Sequence, residues 1–344
     1  MKSRATLVLS NHRPETVGPA KALMLRHDAV ILEEPPDPGF PAMLSGDIDI
    51  GAYLETLDLE YPAFGRRMSA ALRELHRAGR RLYQVEPFLE ILVGIHEHFA
   101  DGGRPADLLP GTARHEVYTA EREATAALID FYDVSVQGGF DETLDAVKRF
   151  ARADARRFAL RDRMRAAAIA GMLSEGGRFY IEAGQMHFPL FRELKRLLPK
   201  AYPLSVRFLM DDAVHGMDMG MRRHLYGPGD RLTLLHRFHP DRQFEVEDLL
   251  AARALIYSKL IAKEEITESR DPYPHTRDEL RVDAVVRRLH LEDCRRLFPG
   301  ICRASTAVAR KRVLRFLDAR QQEPRQQYPS EPTGEGATNE THSL

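Results

Sequence analysis

The sequence predicts an α/β fold: a central, mostly parallel sheet with flanking helices, followed by a helical C-terminal layer. Three observations carry that reading. Strand and helix signals alternate from the first residues onward. The strand-helix-strand order is met again around residues 178–212. From Phe244 the pattern is helical only.

Ala5–Leu9 is an apolar run of strand length, and it ends in Ser10-Asn11-His12. Pro14 to His27 reads as a helix, with Val17, Ala20, Leu23 and Met24 on one face. Ala29–Leu32 is a second strand. It closes in Glu33-Glu34-Pro35-Pro36, because proline cannot donate to a strand ladder. Arg66–Ala78 is a helix stopped by Gly79. Arg81–Val85 is a third strand, ending in Glu86-Pro87. Residues 101–115 form a Gly/Pro-rich connection, and long helices follow at about 116–133 and 141–174. A strand at 178–183, a helix around 189–198 and the strand in "LSVRFLMDD" come next. Beyond Phe244, helices fall at about 245–265, 276–290, 291–298 and 303–320, with Pro272 and Pro274 separating the first two.

These elements divide the chain into an α/β domain over 1–243 and a helical region over 244–320. A tail over 321–344 is polar and rich in Pro, Gly and Ser. It buries too little apolar area to order itself.

The chain has 344 residues, 43% of them hydrophobic, which is enough for a sizeable core. A formal net charge of -1 creates no field that would draw nucleic acid or a membrane surface. The expected partner is a small-molecule or peptide substrate, and the oligomeric state stays open. Two cysteines, Cys294 and Cys302, are too few for a disulfide framework and lack the companions of a zinc site, so a reducing compartment is expected. The basic start is followed by only about five apolar residues, where a signal segment needs roughly 7–15. No run approaches the roughly 18 apolar residues of a membrane-spanning helix. A cytoplasmic protein is the expectation.

In a parallel sheet, ligands bind beyond the carboxyl ends of the strands. Those ends supply Asn11 and His12, then Glu33 and Glu34, then Glu86, then Gln185 and His187. The last strand adds Asp211 and Asp212, with His215 beyond. Such a set can bind a divalent metal or hold a water between a base and an acid. Singly, each is ordinary: a loop histidine, a solvated strand end, a helix cap. Successive strand residues point to opposite faces, so Glu33 and Glu34 are not equivalent. The helix "ARRFALRDRMRAAAIAGML", residues 155–173, places Leu160, Met164, Ala167 and Gly171 on one buried stripe. Arg161 and Arg165 follow a turn apart on a neighbouring face. A guanidinium there could clamp a carboxylate or stabilise an oxyanion, and Arg165 is expected to matter less than Arg161.

Motifs in order along residues 5–215 support a resemblance. Gly184-Gln185-Met186-His187 is a Gly-x-x-His motif, "HDAVILEE" fits Asp-x-Val-x-x-Glu ending at Glu33, and the long helix carries Arg161-Asp162. On these residues the chain resembles the TraB/PrgY, Tiki, erythromycin-esterase and ChaN superfamily. The superfamily's first Gly-x-x-His reads Leu9-Ser10-Asn11-His12 here, with Leu where Gly is usual. The resemblance implies an α/β fold and a site built from His12, Glu33, Arg161 and His187. It also implies one of several activities: metal-dependent peptide cleavage as in Tiki proteins, ester hydrolysis as in erythromycin esterases, or haem binding as in ChaN.

The expectation is therefore a hydrolase that cleaves an ester or peptide bond. His12, Glu33 and His187 would hold a divalent ion (Zn, Mn, Co or Fe) or position a water directly, and a metal would lower that water's pKa. Glu86 would be a second carboxylate for proton transfer, and Arg161 would meet an anionic group or the oxyanion. The alternative is a non-catalytic protein that sequesters a ligand or haem in the same pocket. Leu9 favours it, since a β-carbon there would narrow the approach to His12.

Overall fold

Five strands form one sheet: β1 (Arg4–Ser10), β2 (Ala29–Leu32), β3 (Arg81–Gln84), β4 (Arg178–Gly184) and β5 (Leu204–Phe208). Their order is β3-β2-β4-β1-β5, and every pairing is parallel. The structure is a computed structural model that describes residues 3–57, 59–217 and 224–322. The tail expected from residue 321 lies outside the described residues, except for its first two, which end the last helix.

Alternation along the strands separates two cores. Val8, Val30, Leu32 and Tyr180 face one side, where they pack on the helices Val17–Met24, Phe40–Ser45 and Pro62–Arg77. Leu7, Leu9, Ile31, Phe179 and Ile181 face the other, against Ala166 and Ile169 of the helix Phe140–Met172 and Leu190 and Leu194 of the helix Leu190–Leu197. Connections that step from β1 to β2 to β3 use the first face, and those that return to β4 and β5 use the second. One crossover hand requires this change of face when the direction reverses. The paths leaving β2 and β4, which are neighbours, diverge. In a parallel sheet such a divergence opens a crevice at the carboxyl ends of the two strands.

The long helix Phe140–Met172 has 33 residues and spans roughly 50 Å at about 1.5 Å per residue. Its last turns cover the sheet. Its first turns, through Phe140, Leu144, Val147 and Ala151, belong to a separate core with Leu232, Leu255, Val286, Phe298 and Val313. The helices expected beyond Phe244 are present as Glu247–Leu260, Pro274–Val286, Leu291–Ile301 and Thr306–Gln322. The helix Pro228–Phe238 joins them, in a stretch that reads as loop from sequence. Two clasps hold this layer to the carboxyl edge of the sheet. Glu15 accepts hydrogen bonds from the backbone N–H groups of His275 and Thr276 at 3.1 and 2.8 Å, which caps the helix Pro274–Val286. Glu265 accepts from the N–H groups of Ala63 and Phe64 at 2.7 and 2.8 Å and caps the helix Pro62–Arg77 in the same way.

Candidate functional site

Local chemistry fixes each strand end. After β1 the chain turns sharply: His12 takes φ 50°, a left-handed conformation that few non-glycine residues adopt. Its N–H donates to Ser10 Oγ at 3.3 Å. After β3, Pro87 opens the helix Pro87–Ala100 and restricts the backbone of Glu86 before it. In β4, Gly184 leaves room where side chains converge. A β-carbon there would lie 3.6 Å from Glu33 Oε2, 3.6 Å from His12 Cε1 and 3.8 Å from His187 Cδ2. His12 and His187 therefore flank one point from two sides.

On the face covered by the helix Phe140–Met172, opposite charges interlock. His187 Nε2 lies 2.7 Å from Glu33 Oε1, and its Nδ1 lies 2.6 Å from Asp162 Oδ1. Arg237 pairs with Asp162 at 3.5 Å and with Glu193 at 3.2 Å. Arg161 reaches Glu33 at 3.5 Å and Glu86 at 3.6 Å, while Arg165 lies 3.8 Å from each of them. Arg165 also donates Nε–H to the Val85 carbonyl at 2.9 Å and Nη2–H to the Glu182 carbonyl at 2.6 Å. It thus spans from the end of β3 to β4, across the end of β2 where Glu33 stands. Glu33 accepts a further bond from the Gly184 N–H.

Burial alone would lower the pKa of His187. The Glu33 carboxylate, and then Asp162, overcome it and push the imidazole up to about 9. Burial likewise opposes ionisation of Glu33, but His187, Arg165 and Arg161 hold that carboxyl well below its ordinary value. At neutral pH His187 is therefore an imidazolium donating from both nitrogens, and Glu33 is a carboxylate.

The opposite face carries acids without such compensation. Glu182 alternates with Ile181 and Ala183 and so points the other way. Its Oε1 is 3.8 Å from His12 Nε2, and its Oε2 accepts from the Glu33 N–H at 3.5 Å. Burial, then the nearby Glu33 charge, pushes the Glu182 carboxyl up to about 7. Burial and the Glu182 charge also raise Glu34, which accepts from Gln84 Nε2 at 3.0 Å. Burial lowers the pKa of His12, so this imidazole is neutral near pH 7. The His12 side chain keeps 32% of its surface exposed and Arg161 keeps 16%, whereas Glu86 and Arg165 keep none. Both carboxyl oxygens of Glu86 are buried without a hydrogen-bond partner among the described residues.

No family model matches the chain. No solved structure matches it either. An uncharacterized protein of Archaeoglobus fulgidus is 30% identical to it over 293 residues, which cover 85% of this chain and 97% of that protein. The chain belongs to the family of that archaeal protein.

In this member of the family, the expected residues His12, Glu33, Glu86, Arg161 and His187 gather at the crevice between β2 and β4. Glu34 takes the opposite side from Glu33, as strand alternation requires. Others depart from expectation. Asp211, Asp212 and His215 lie on the helix Asp211–Met217, where Asp211 shares a small pocket with Asn11 and Gln185 and is not part of the cluster around Glu33. There Asp211 pairs with His224 at 3.0 Å and Asp212 with Arg207 at 2.9 Å, near solvent. The expected buried stripe is also misplaced. Ala167 and Gly171 are exposed, and the buried face runs through Asp162, Arg165, Ala166 and Ile169. Arg165 is consequently the more deeply buried of the two arginines, because its fork satisfies two backbone carbonyls. Leu9 does not crowd His12, since its side chain packs in the core beside Ile181 and Ala183.

Among the described residues, no group of three or more His, Cys, Asp and Glu side chains is placed to hold a metal ion. The donor set explains why. Both nitrogens of His187 and both oxygens of Glu33 are engaged by protein partners, and His12 turns to Glu182. As arranged, these residues do not fit a three-ligand centre.

Sequence reasoning passed over Glu182 and Arg237, gave Asp162 no role beyond its place in the Arg161-Asp162 motif, and ranked Arg165 behind Arg161. Two signals were available. A glutamate inside the run Phe179-Tyr180-Ile181-Glu182-Ala183 has no solvated place to go, and a buried ionisable residue demands a partner. Asp162 and Arg165, three apart on a helix, share a face.

Proposed function

We propose that the chain is a hydrolase of the TraB/Tiki/erythromycin-esterase type, cleaving an ester or peptide bond with the His12–Glu182 pair at the edge of the sheet. One observation carries this reading. A neutral, partly exposed imidazole in a strained backbone conformation faces a carboxyl group poised near pH 7, which accepts from the N–H of Glu33, the residue whose carboxylate Arg161 reaches from the other face. Enzymes separate the pKa values of neighbouring groups to assign a base and an acid.

In this scheme His12 takes a proton from the attacking water, and protonated Glu182 gives one to the leaving group. Arg161 faces the developing oxyanion, already oriented by Glu33 and Glu86. The His187 imidazolium, held by Asp162, keeps Glu33 in place and touches no substrate. Each group then acts from its resting protonation state.

Single-turnover assays against ester and peptide libraries test the proposal. The parent protein should cleave a member of one class, and His12→Gln should lose at least a hundredfold in rate, the lower range for a general base. Cleavage abolished by a chelator and restored by Zn, Mn, Co or Fe would move the chemistry to a metal held by Glu33 and His187. Ligand capture with no cleavage would instead support the sequestering alternative.

A further inference from the structure

A groove of about 490 Å³ runs between the sheet edge and the helical layer, and neither His12 nor Glu182 lines it. That volume is typical of a small-molecule site. Aromatic side chains dominate its walls: Tyr61, Phe131, Tyr132, Tyr257 and Phe298. Three cations line it, Arg13, Lys259 and Lys263, against the two acids Glu60 and Glu279. Burial pushes Glu279 up to about 7, so this acid carries only part of its charge at neutral pH. Burial, and then the charge of Lys263, lowers the pKa of Lys259.

Arg13 supplies the second observation. Its guanidinium carbon sits 4.2 Å above the centre of the Tyr61 ring. Its Nη1 is buried and has no hydrogen-bond partner among the described residues. A buried N–H donor left unpaired is costly, and more so when charged. That atom is sealed from solvent, but the Arg13 side chain lines the groove, where a guanidinium fork suits a carboxylate, sulfonate or phosphate.

We propose that this groove binds a small aromatic anion, its ring among the aromatic walls and its charged group on Arg13. Arg13 follows His12 in the chain, and Glu279 accepts a bond from Asn11 Nδ2 at 3.3 Å. The charged end of the occupant therefore lies beside the strand end that carries the imidazole. That the occupant is also the molecule cleaved rests on the hydrolase reading; the binding itself does not.

The probe is 8-anilinonaphthalene-1-sulfonate, with uncharged N-phenyl-1-naphthylamine as its counterpart. The parent chain contains no tryptophan, so its probe emission has no indole background, and Ser258→Trp is read with excitation outside the indole band. The sulfonate should bind saturably, one per chain. Arg13→Gln should weaken it tenfold or more and change the uncharged probe less than threefold. Ser258→Trp, which fills the groove, should abolish both while circular dichroism and thermal melting report an intact fold. His12→Gln should bind both probes as the parent does, so a failure of hydrolysis leaves this result standing. Equal sulfonate affinity in folded Arg13→Gln, retention of both probes by folded Ser258→Trp, or binding without saturation would each overturn the proposal. If Arg13→Gln does not fold, Ser258→Trp decides alone.

Discussion

Glu33 and Glu182 occupy adjacent strands and lie within hydrogen-bonding reach of each other's residues, yet they titrate in opposite directions. Both are buried, so burial does not distinguish them. The difference is what each face of the sheet offers. On one side a helix delivers Arg161, Asp162 and Arg165 beside His187, and charges cancel in pairs. On the other, Glu182 has a neutral imidazole at 3.8 Å and a long bond from the Glu33 N–H, which do not offset its burial and the Glu33 charge. A compensated array holds geometry, and an uncompensated acid stays ready to exchange a proton. On the proposed hydrolase reading, one strand edge thereby separates a scaffold from a reagent.

The strongest way to break that contrast is to empty the scaffold. His187→Gln removes the cation that bridges Glu33 and Asp162 and leaves them to the longer contacts of Arg161, Arg165 and Arg237, and breaking a buried pair costs about 3–5 kcal/mol. Urea unfolding should show a loss in that range, and a loss below about 1 kcal/mol would mean that the array is not what orders this edge. The pH dependence has a definite sign. His187 is raised in the folded state, so its stabilisation is complete below the ordinary histidine value and disappears as pH rises through about 9.

The two arginines sharpen the comparison within a single helix. Arg165→Lys surrenders fork contacts to the Val85 and Glu182 carbonyls with no exposed surface to recover them, and should cost about 1–3 kcal/mol. Arg161→Lys should stay within about 1 kcal/mol of the parent in stability, yet lose most turnover, because lysine lacks the planar fork. If Arg161→Lys keeps full turnover on a substrate the parent cleaves, the oxyanion role fails.

Glu182→Gln addresses the reagent side. Because its carboxyl titrates near 7 and is needed protonated, parent activity should fall as pH rises through about 7. The glutamine variant should be slow and should lack that alkaline limb. Stability carries the same sign. A carboxyl raised by burial favours the fold while protonated, so the parent loses stability between the ordinary carboxyl value and about 7, and Glu182→Gln does not. The smallest effect belongs to Glu34→Gln, which keeps a side chain able to bond Gln84 and should shift stability by no more than about 0.5 kcal/mol.

The scaffold was less legible in the sequence than the edge it serves. Strand ends announce themselves through apolar runs that stop at His12, Glu33, Glu86 and His187, and parallel topology gathers strand ends whatever the loops do. The alternation of elements gave the α/β class for the same local reason. The helix Phe140–Met172 misled because charged residues on its buried face look like solvent-facing ones when only apolar residues are counted. Its true inner stripe is partly ionic, so the apolar period slid onto Ala167 and Gly171. Glu182 was hidden differently. One acid in a strand reads as a blemish until the residue facing it, His12, arrives from more than 160 positions away.

The 33-residue helix imposes a limit on how this protein can be taken apart. Its final turns roof the sheet, its middle presents Arg161, Asp162 and Arg165, and its opening turns are packed by residues from Leu232 to Leu317. A fragment ending near residue 243 would keep every residue of the edge cluster and the helices Ala113–Gln137 and Pro228–Phe238, but would strip the opening turns of their buried core partners from Leu250 to Leu317. Helices hold in water chiefly through such neighbours, so fraying would run toward the arginines from the bare end. The geometry of the strand tips is thus tied to a distant bundle, and excising the α/β part alone would expose the far end of the helix that carries Arg161, Asp162 and Arg165.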